Sequence, residues 1–362
     1  MESIALYFHM PFCTRKCIYC AFYSVTWATE DIMDLYLEAL ITQMRSFPES
    51  RPISSIYFGG GTPNLFGADR IARLLEEVGR RFSVREDNEI TIEVNPGSVQ
   101  WADMVTLQKS GVNRLSIGMQ SSDDRLLRFL GRKHVFSDVC ACVDHARQAG
   151  LNNLSQDLLF GLPQQTEAHF QKSLEDAFQL NPDHFSVYSI QVEEGTPLFQ
   201  KQKGYVFPTE EEEEREYNDL CREMANAGFT HYEVSSFAKE GFQSKHNMHY
   251  WKRGEYLGFG PAAHSFWNGK RFSNVADLNA YLQSPCSAND YAAAERISEE
   301  EAIEEEVMLG LRTNLGVDAD LVPDLQVNRL CALGYLRKED NRVIMTEAGW
   351  RVSNAVIGQL LM

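Results

Sequence analysis

The sequence predicts an α/β architecture built on parallel strands, with a small α+β unit at its C-terminal end. Three observations carry that prediction. Short apolar, β-rich runs alternate six times with longer stretches of helical periodicity. Most of those runs end in a polar or glycine-rich group, as expected where a parallel sheet gathers its chemistry at the carboxyl ends of its strands. After about residue 240 the alternation stops and helix, helix, hairpin and closing helix follow.

The elements read as follows. A strand is predicted over 4–9 and a helix over 31–47, then strand 53–58 and helix 69–82. Strand 89–94 precedes helix 101–110, and strand 114–118 precedes helix 135–150. Strand 154–159 leads to helix 167–180, and strand 184–190 to helix 210–227. A shorter strand is predicted over 231–234. Parallel neighbours need such crossovers, and right-handed ones are the rule. Periodicity alone does not separate a doubly wound sheet from a full or partial barrel. Residues 246–263, rich in glycine and aromatics, read as a loop. Helices over 299–313 and 323–333 and a hairpin over 335–346, turning at Asp340-Asn341, suit a winged-helix-like unit. The expected division is 1–240, a connecting segment 241–295, and 296–362. The acidic runs 210–214 and 299–306 read as solvated helix starts, where carboxylates favour the positive end of the helix dipole.

Composition narrows the function classes. A chain of 362 residues with 44% hydrophobic and 23% charged residues can bury a large core. Its formal net charge of −17 opposes nucleic acid and anionic membranes. No apolar stretch reaches the roughly 18 residues of a membrane span. The N-terminus lacks the basic region of a secretory signal. Eight cysteines in a chain this long do not resemble a secreted disulfide framework, so a reducing cytoplasm is expected.

The densest chemistry is Cys13, Cys17 and Cys20, spaced C-x3-C-x2-C in eight residues. Three such thiolates can ligate three irons of a cubane and leave the fourth iron open to a ligand. A closed zinc site is the competing reading, with His9 as a fourth donor. Arg15 and Lys16 would favour thiolate over thiol. Cys140, Cys142, Cys221, Cys286 and Cys331 read as small buried hydrophobes.

This pattern, with its flanks Tyr7 to Phe12, resembles the radical S-adenosylmethionine (SAM) superfamily, in the branch of coproporphyrinogen dehydrogenases and HemW. Further motifs follow in family order: Gly59-Gly60-Gly61-Thr62-Pro63, Glu93 before Asn95-Pro96, Gly118-Met119-Gln120, Arg132, and Asp157 through Gly161-Leu162-Pro163. The resemblance implies a partial (β/α)6 TIM-like barrel and a [4Fe–4S] cluster on Cys13, Cys17 and Cys20. It also implies SAM bound at the open iron, whose reduction would release a 5′-deoxyadenosyl radical. It places Tyr7, Tyr19, Gly60, Gly61, Thr62, Glu93, Gln120, Arg132, Asp157 and Gln191 around SAM.

Within that branch two functions compete: a haem chaperone delivering its cargo to a recipient protein, and an oxygen-independent coproporphyrinogen III dehydrogenase. Dehydrogenases carry another cysteine two residues after the third ligand, where Phe22 stands here, and a longer arm than the twelve residues before Cys13. His246-Asn247-Met248-His249-Tyr250-Trp251 matches H-N-x-x-Y-W, typical of the HemW group. The chaperone reading is therefore preferred, with no dehydrogenase activity expected. His246 and His249 are the candidate haem ligands, with Lys252 and Arg253 for the propionates; the competing reading is a turn whose histidines bond backbone. A homodimer is conceivable.

Overall fold

The computed structural model describes residues 3–286 and 294–361. Six predicted strands form as expected: β1 Ile4–Met10, β2 Ile53–Gly60, β3 Val84–Val94, β4 Arg114–Gln120, β5 Asn153–Phe160 and β6 His184–Ser189. Each pairs in parallel with the next. The remaining strands are β7 Thr230–Glu233, β8 Ser236–Ala238, β9 Tyr256–Phe259, β10 His264–Trp267, β11 Lys270–Ser273, β12 Glu295–Arg296, β13 Val317–Asp318, β14 Leu336–Glu339 and β15 Arg342–Met345. Twelve of them make one sheet, in the order β12-β11-β10-β9-β1-β2-β3-β4-β5-β6-β8-β7. The sheet curves as a partial barrel and does not close on itself among the described residues.

The predicted loop over 246–263 is corrected here. Lys245–Trp251 is a helix, and β9 pairs in parallel with β1, Tyr7 opposite Gly258. The sheet therefore runs on past residue 240, and β1 lies in its interior with a neighbour on each edge. Leu257, Phe259, Leu278 and Tyr281 join the main apolar core. Phe8 makes the link visible, stacking on Phe58 of β2 at 5.2 Å and on Phe259 of β9 at 5.0 Å.

A second apolar cluster gathers Val307, Leu311, Val327, Leu330, Val343, Trp350 and Leu360. It contains the predicted helices, as Glu299–Gly310 and Asp324–Ala332, and the predicted hairpin, β14 with β15. Backbone bonds tie it to the sheet edge: Val234 N–H donates to Arg312 C=O (2.9 Å) and Asn314 N–H to Tyr232 C=O (2.9 Å). Arg253 and Arg271 both reach Glu305.

Both acidic runs open helices, as expected. Thr209 and Glu212 form a reciprocal capping box, as do Ser298 and Glu301. Within the first acidic run's helix, Glu210–Asn226, Glu216 is buried rather than solvated, and burial pushes its carboxyl up to about 7. Cys142 and Cys221 are buried as expected, whereas Cys140, Cys286 and Cys331 are only half-buried. No helix among the described residues is long and apolar enough to cross a membrane.

Candidate functional site

The site is built on the carboxyl ends of β1 to β6. Past β1 the chain turns through the cysteine loop, which short backbone bonds hold against three neighbours. Cys13 N–H donates to Val25 C=O (2.9 Å) and Val25 N–H to Pro11 C=O (2.7 Å). Ile18 N–H donates to Leu130 C=O (3.1 Å), and Leu198 N–H to Ile18 C=O (2.9 Å). Phe12 anchors the loop's base, edge-on to Tyr36 and stacked on Phe66. The loop is thus fixed by the body of the protein, while its three thiols are free and half-buried.

Glycines after β2 let this loop come close. A Cβ on Gly61 would lie 2.8 Å from the Met10 and Phe12 carbonyl oxygens and 3.1 Å from Cys13 Sγ. Gly61 and Thr62 instead donate their N–H groups to those two carbonyls at 2.8 Å. Gly60 sits at φ +110°, a conformation L side chains rarely adopt, and a Cβ there would meet the His9 ring at 2.5 Å. Thr62 Oγ1 lies 3.7 Å from Cys13 Sγ and accepts from Asn95 Nδ2 at 2.7 Å.

Charged groups come in from the following strands. Glu93 accepts from Tyr57 OH (2.9 Å) and from Gly60 N–H (3.2 Å). Asp157 accepts from Ser116 Oγ at 3.0 Å. Burial pushes Glu93 up to about 7 and Asp157 up to about 6, against the lowering effect of those hydrogen bonds. Arg132 donates through Nη2 to Gly118 C=O (2.7 Å) and points Nη1 at Cys17 Sγ (3.8 Å), while its buried Nε makes no hydrogen bond. Tyr19 is close enough to feel Arg132, Cys17, Cys20 and Asp157. A cavity of about 220 Å³ opens between the cysteine loop and these strand ends, lined by Cys17, Thr62, Asn95, Arg132 and His134 among others.

Of the predicted residues, Tyr7, Tyr19, Gly60, Gly61, Thr62, Glu93, Arg132 and Asp157 meet at this end of the barrel with the three cysteines. Tyr7 bonds His9 Nδ1 at 3.1 Å. Gln120 closes β4 in a left-handed conformation, φ 65°. Gln191 stands exposed just past β6. Sequence reading missed Tyr57, Ser116 and Tyr188. The first two orient the carboxylates, and Tyr188 lies within electrostatic reach of both. Their signal was present in the strand alternation, since each shares the inward side of its strand.

His246 and His249 stand apart from the cysteine loop. They lie at the opposite end of the barrel, on the helix Lys245–Trp251. His246 is 1% exposed, bonds Ser55 Oγ through Nδ1 (2.9 Å) and Tyr250 OH through Nε2 (2.8 Å), and stacks on Tyr57. His249 Nε2 donates to Glu255 C=O at 2.7 Å. His246 thus has both ring nitrogens hydrogen-bonded. Arg253, read as a propionate partner, is held by Glu305 at 2.8 Å.

The zinc reading is also testable against this geometry. His9, the donor that would close such a site, has Nδ1 against Tyr7 OH and Nε2 against Tyr23 C=O (2.9 Å). Among the described residues one trio of metal-ligating atoms lies within 4.8 Å of one another, and it is not the loop cysteines. A single tetrahedral zinc brings thiolate sulfurs to about 3.8 Å. The wider spread suits a polynuclear centre.

Comparison with known proteins gives the following. The family model described as Radical SAM superfamily matches residues 7–177, and that described as HemN C-terminal domain matches 297–352. The heme chaperone HemW of Bacillus subtilis is 34% identical, over 98% of this chain and 98% of its own length. That of Lactococcus lactis is 32% identical, over 98% and 97%. The solved structure of coproporphyrinogen III oxidase (HemN) from Escherichia coli, described as a radical SAM enzyme, superposes with a TM-score of 0.84. It covers 99% of this chain and 90% of that one, at 23% identity, which speaks for a common fold alone.

Proposed function

The chain belongs to the radical SAM superfamily, in the branch that holds HemW and HemN, and from that premise we propose that it is a cytoplasmic haem chaperone carrying a [4Fe–4S] cluster and SAM. The observation that carries the reading is the trio of free thiols, with both nitrogens of nearby His9 engaged elsewhere, beside an arginine whose buried Nε is unpartnered. Cys13, Cys17 and Cys20 would hold the cluster, which supplies an open iron position and an electron for bound SAM.

The chain's own residues do the binding and orienting. The Arg132 guanidinium suits the SAM carboxylate, its Nε being the donor left over after Gly118 is served. The strap Gly60-Gly61-Thr62 offers backbone and hydroxyl groups to the methionine amino end. Glu93, with Tyr57 fixing one oxygen, suits a ribose hydroxyl. Asp157, held by Ser116, would serve the sulfonium or ribose. Tyr7, Tyr19, Gln120 and Gln191 complete the shell. Haem would bind without His246, whose two ring nitrogens are hydrogen-bonded, and pass to a recipient protein.

Phe22, 67% exposed, occupies the position where the dehydrogenase pattern has a further cysteine. One anaerobic experiment tests the choice. The protein is titrated with haem by absorption spectroscopy, then incubated with SAM, reductant and coproporphyrinogen III, with products read by mass spectrometry. Saturable haem binding without conversion is expected. Formation of protoporphyrinogen IX would replace the chaperone reading with the dehydrogenase one.

A further inference from the structure

Away from the cysteine loop, three potential ligands converge where the second apolar cluster meets the edge of the main sheet. Cys221 lies on the helix Glu210–Asn226, His231 on β7, and Glu347 opens the helix Glu347–Arg351. One ligand atom from each lies within 4.8 Å of the other two, and Cys221 Sγ is 3.9 Å from His231 Nδ1. A tetrahedral zinc with Zn–S of about 2.3 Å and Zn–N of about 2.0 Å sets that separation at about 3.6 Å. A few tenths of an ångström of closure would suffice.

The surroundings fit a ligand set better than a packed thiol. The His231 ring is clamped between Phe237, stacked at 4.1 Å, and Trp350, edge-on at 4.3 Å, so its orientation is fixed by apolar walls. Burial holds the imidazole neutral, as a metal ligand requires. The Tyr217 hydroxyl lies against the Cys221 thiol and, although buried, makes no well-formed hydrogen bond. Buried polar atoms without partners are few in folded proteins, and each calls for an occupant or a bridging water. Glu347 is exposed and gives an ion a way in. Arg351 also faces this corner, but its charge is met by Glu214 at 2.5 Å.

We propose that Cys221, His231 and Glu347 form a divalent-cation site, chemically suited to zinc, that ties the C-terminal cluster to the edge of the main sheet. One thiolate, one imidazole and one carboxylate are a borderline-soft donor set, and the fourth position opens toward Tyr217. The site shares no residue with the cluster loop and stands whether or not the chaperone reading does.

The test uses the full chain with Cys13, Cys17 and Cys20 all replaced by alanine, so that no other thiolate site competes. Metal-free protein is titrated with cobalt(II). One equivalent is expected, with a thiolate-to-cobalt charge-transfer band and the visible bands of a tetrahedral ion, both abolished by zinc. Cys221→Ala should remove the charge-transfer band. Glu347→Gln, at an exposed position that leaves the fold intact, should weaken cobalt about ten- to a hundredfold, as losses around metal ligands do. Zinc should also slow hydrogen exchange in residues 347–351. Failure of the parent to bind cobalt, or an unchanged spectrum and affinity in the Glu347→Gln protein, would overturn the proposal.

Discussion

The two ends of the barrel are equally rich in polar and aromatic side chains, yet they are organised in opposite ways. At the amino ends of the strands, the polar groups around the helix Lys245–Trp251 spend their hydrogen bonds on one another, although Asn88 Oδ1, Arg114 Nε and Asn153 Oδ1 are buried there without a partner. The Glu89 carboxylate accepts from Lys245 N–H (3.0 Å) and His246 N–H (3.1 Å), and His246 bridges Ser55 and Tyr250. That end is a plug. At the carboxyl ends, Cys17 and Arg132, whose Nε is unpartnered, line an open cavity, and two carboxyls with raised pKa, Glu93 and Asp157, stand on the strands around it. Residue type alone does not mark a binding site. Ligating and donor groups gathered at an open cavity do.

The sharpest way to break this contrast is Cys17→Ser. Anaerobically purified parent should carry iron and sulfide at about four per chain, and the variant near zero; retention of iron would remove the cysteine loop from the open end's chemistry. Next comes His246→Phe at the closed end. It strands the Ser55 and Tyr250 hydroxyls, so urea denaturation should show a loss of about 2–4 kcal/mol, while haem titration stays unchanged. Loss of haem binding in a folded variant would make the plug a site after all.

A smaller effect is expected at Glu216, whose carboxyl burial pushes up to about 7 from an ordinary 4.5. Between those values the folded chain keeps a proton that the unfolded chain has lost, so stability falls as pH rises through the window. Glu216→Gln should gain about 1–3 kcal/mol over the parent at roughly pH 8 and little at roughly pH 4. Equal shifts at both pH values would contradict the burial argument. Smallest is Lys338→Ala, away from both ends. Its partner Asp324 is 85% exposed, and the pair should be worth about 0.5 kcal/mol or less.

Much of the open end was legible in the sequence because its residues sit at strand ends, where periodicity changes. The six parallel strands, the cysteine loop and the glycine strap fall out of that pattern. The closed end was not legible. Its strand β9 is only Tyr256-Leu257-Gly258-Phe259, and an internal glycine reads as a loop. The glycine is there because a Cβ at 258 would fall 2.1 Å from the His264 carbonyl oxygen. The helix carrying His246 is seven residues long and buries that histidine, which residue type alone did not reveal. Glu216, two residues past the acidic run 210–214, is buried where the neighbouring charges suggest a solvated face.

The placement of β1 between β2 and β9 also orders events during synthesis. The strand that leads into the cysteine loop meets β2 first, yet its second edge stays open until residues 256–259 have followed. An unpaired strand edge invites wrong partners. The loop therefore gains its final support only after synthesis has passed β9.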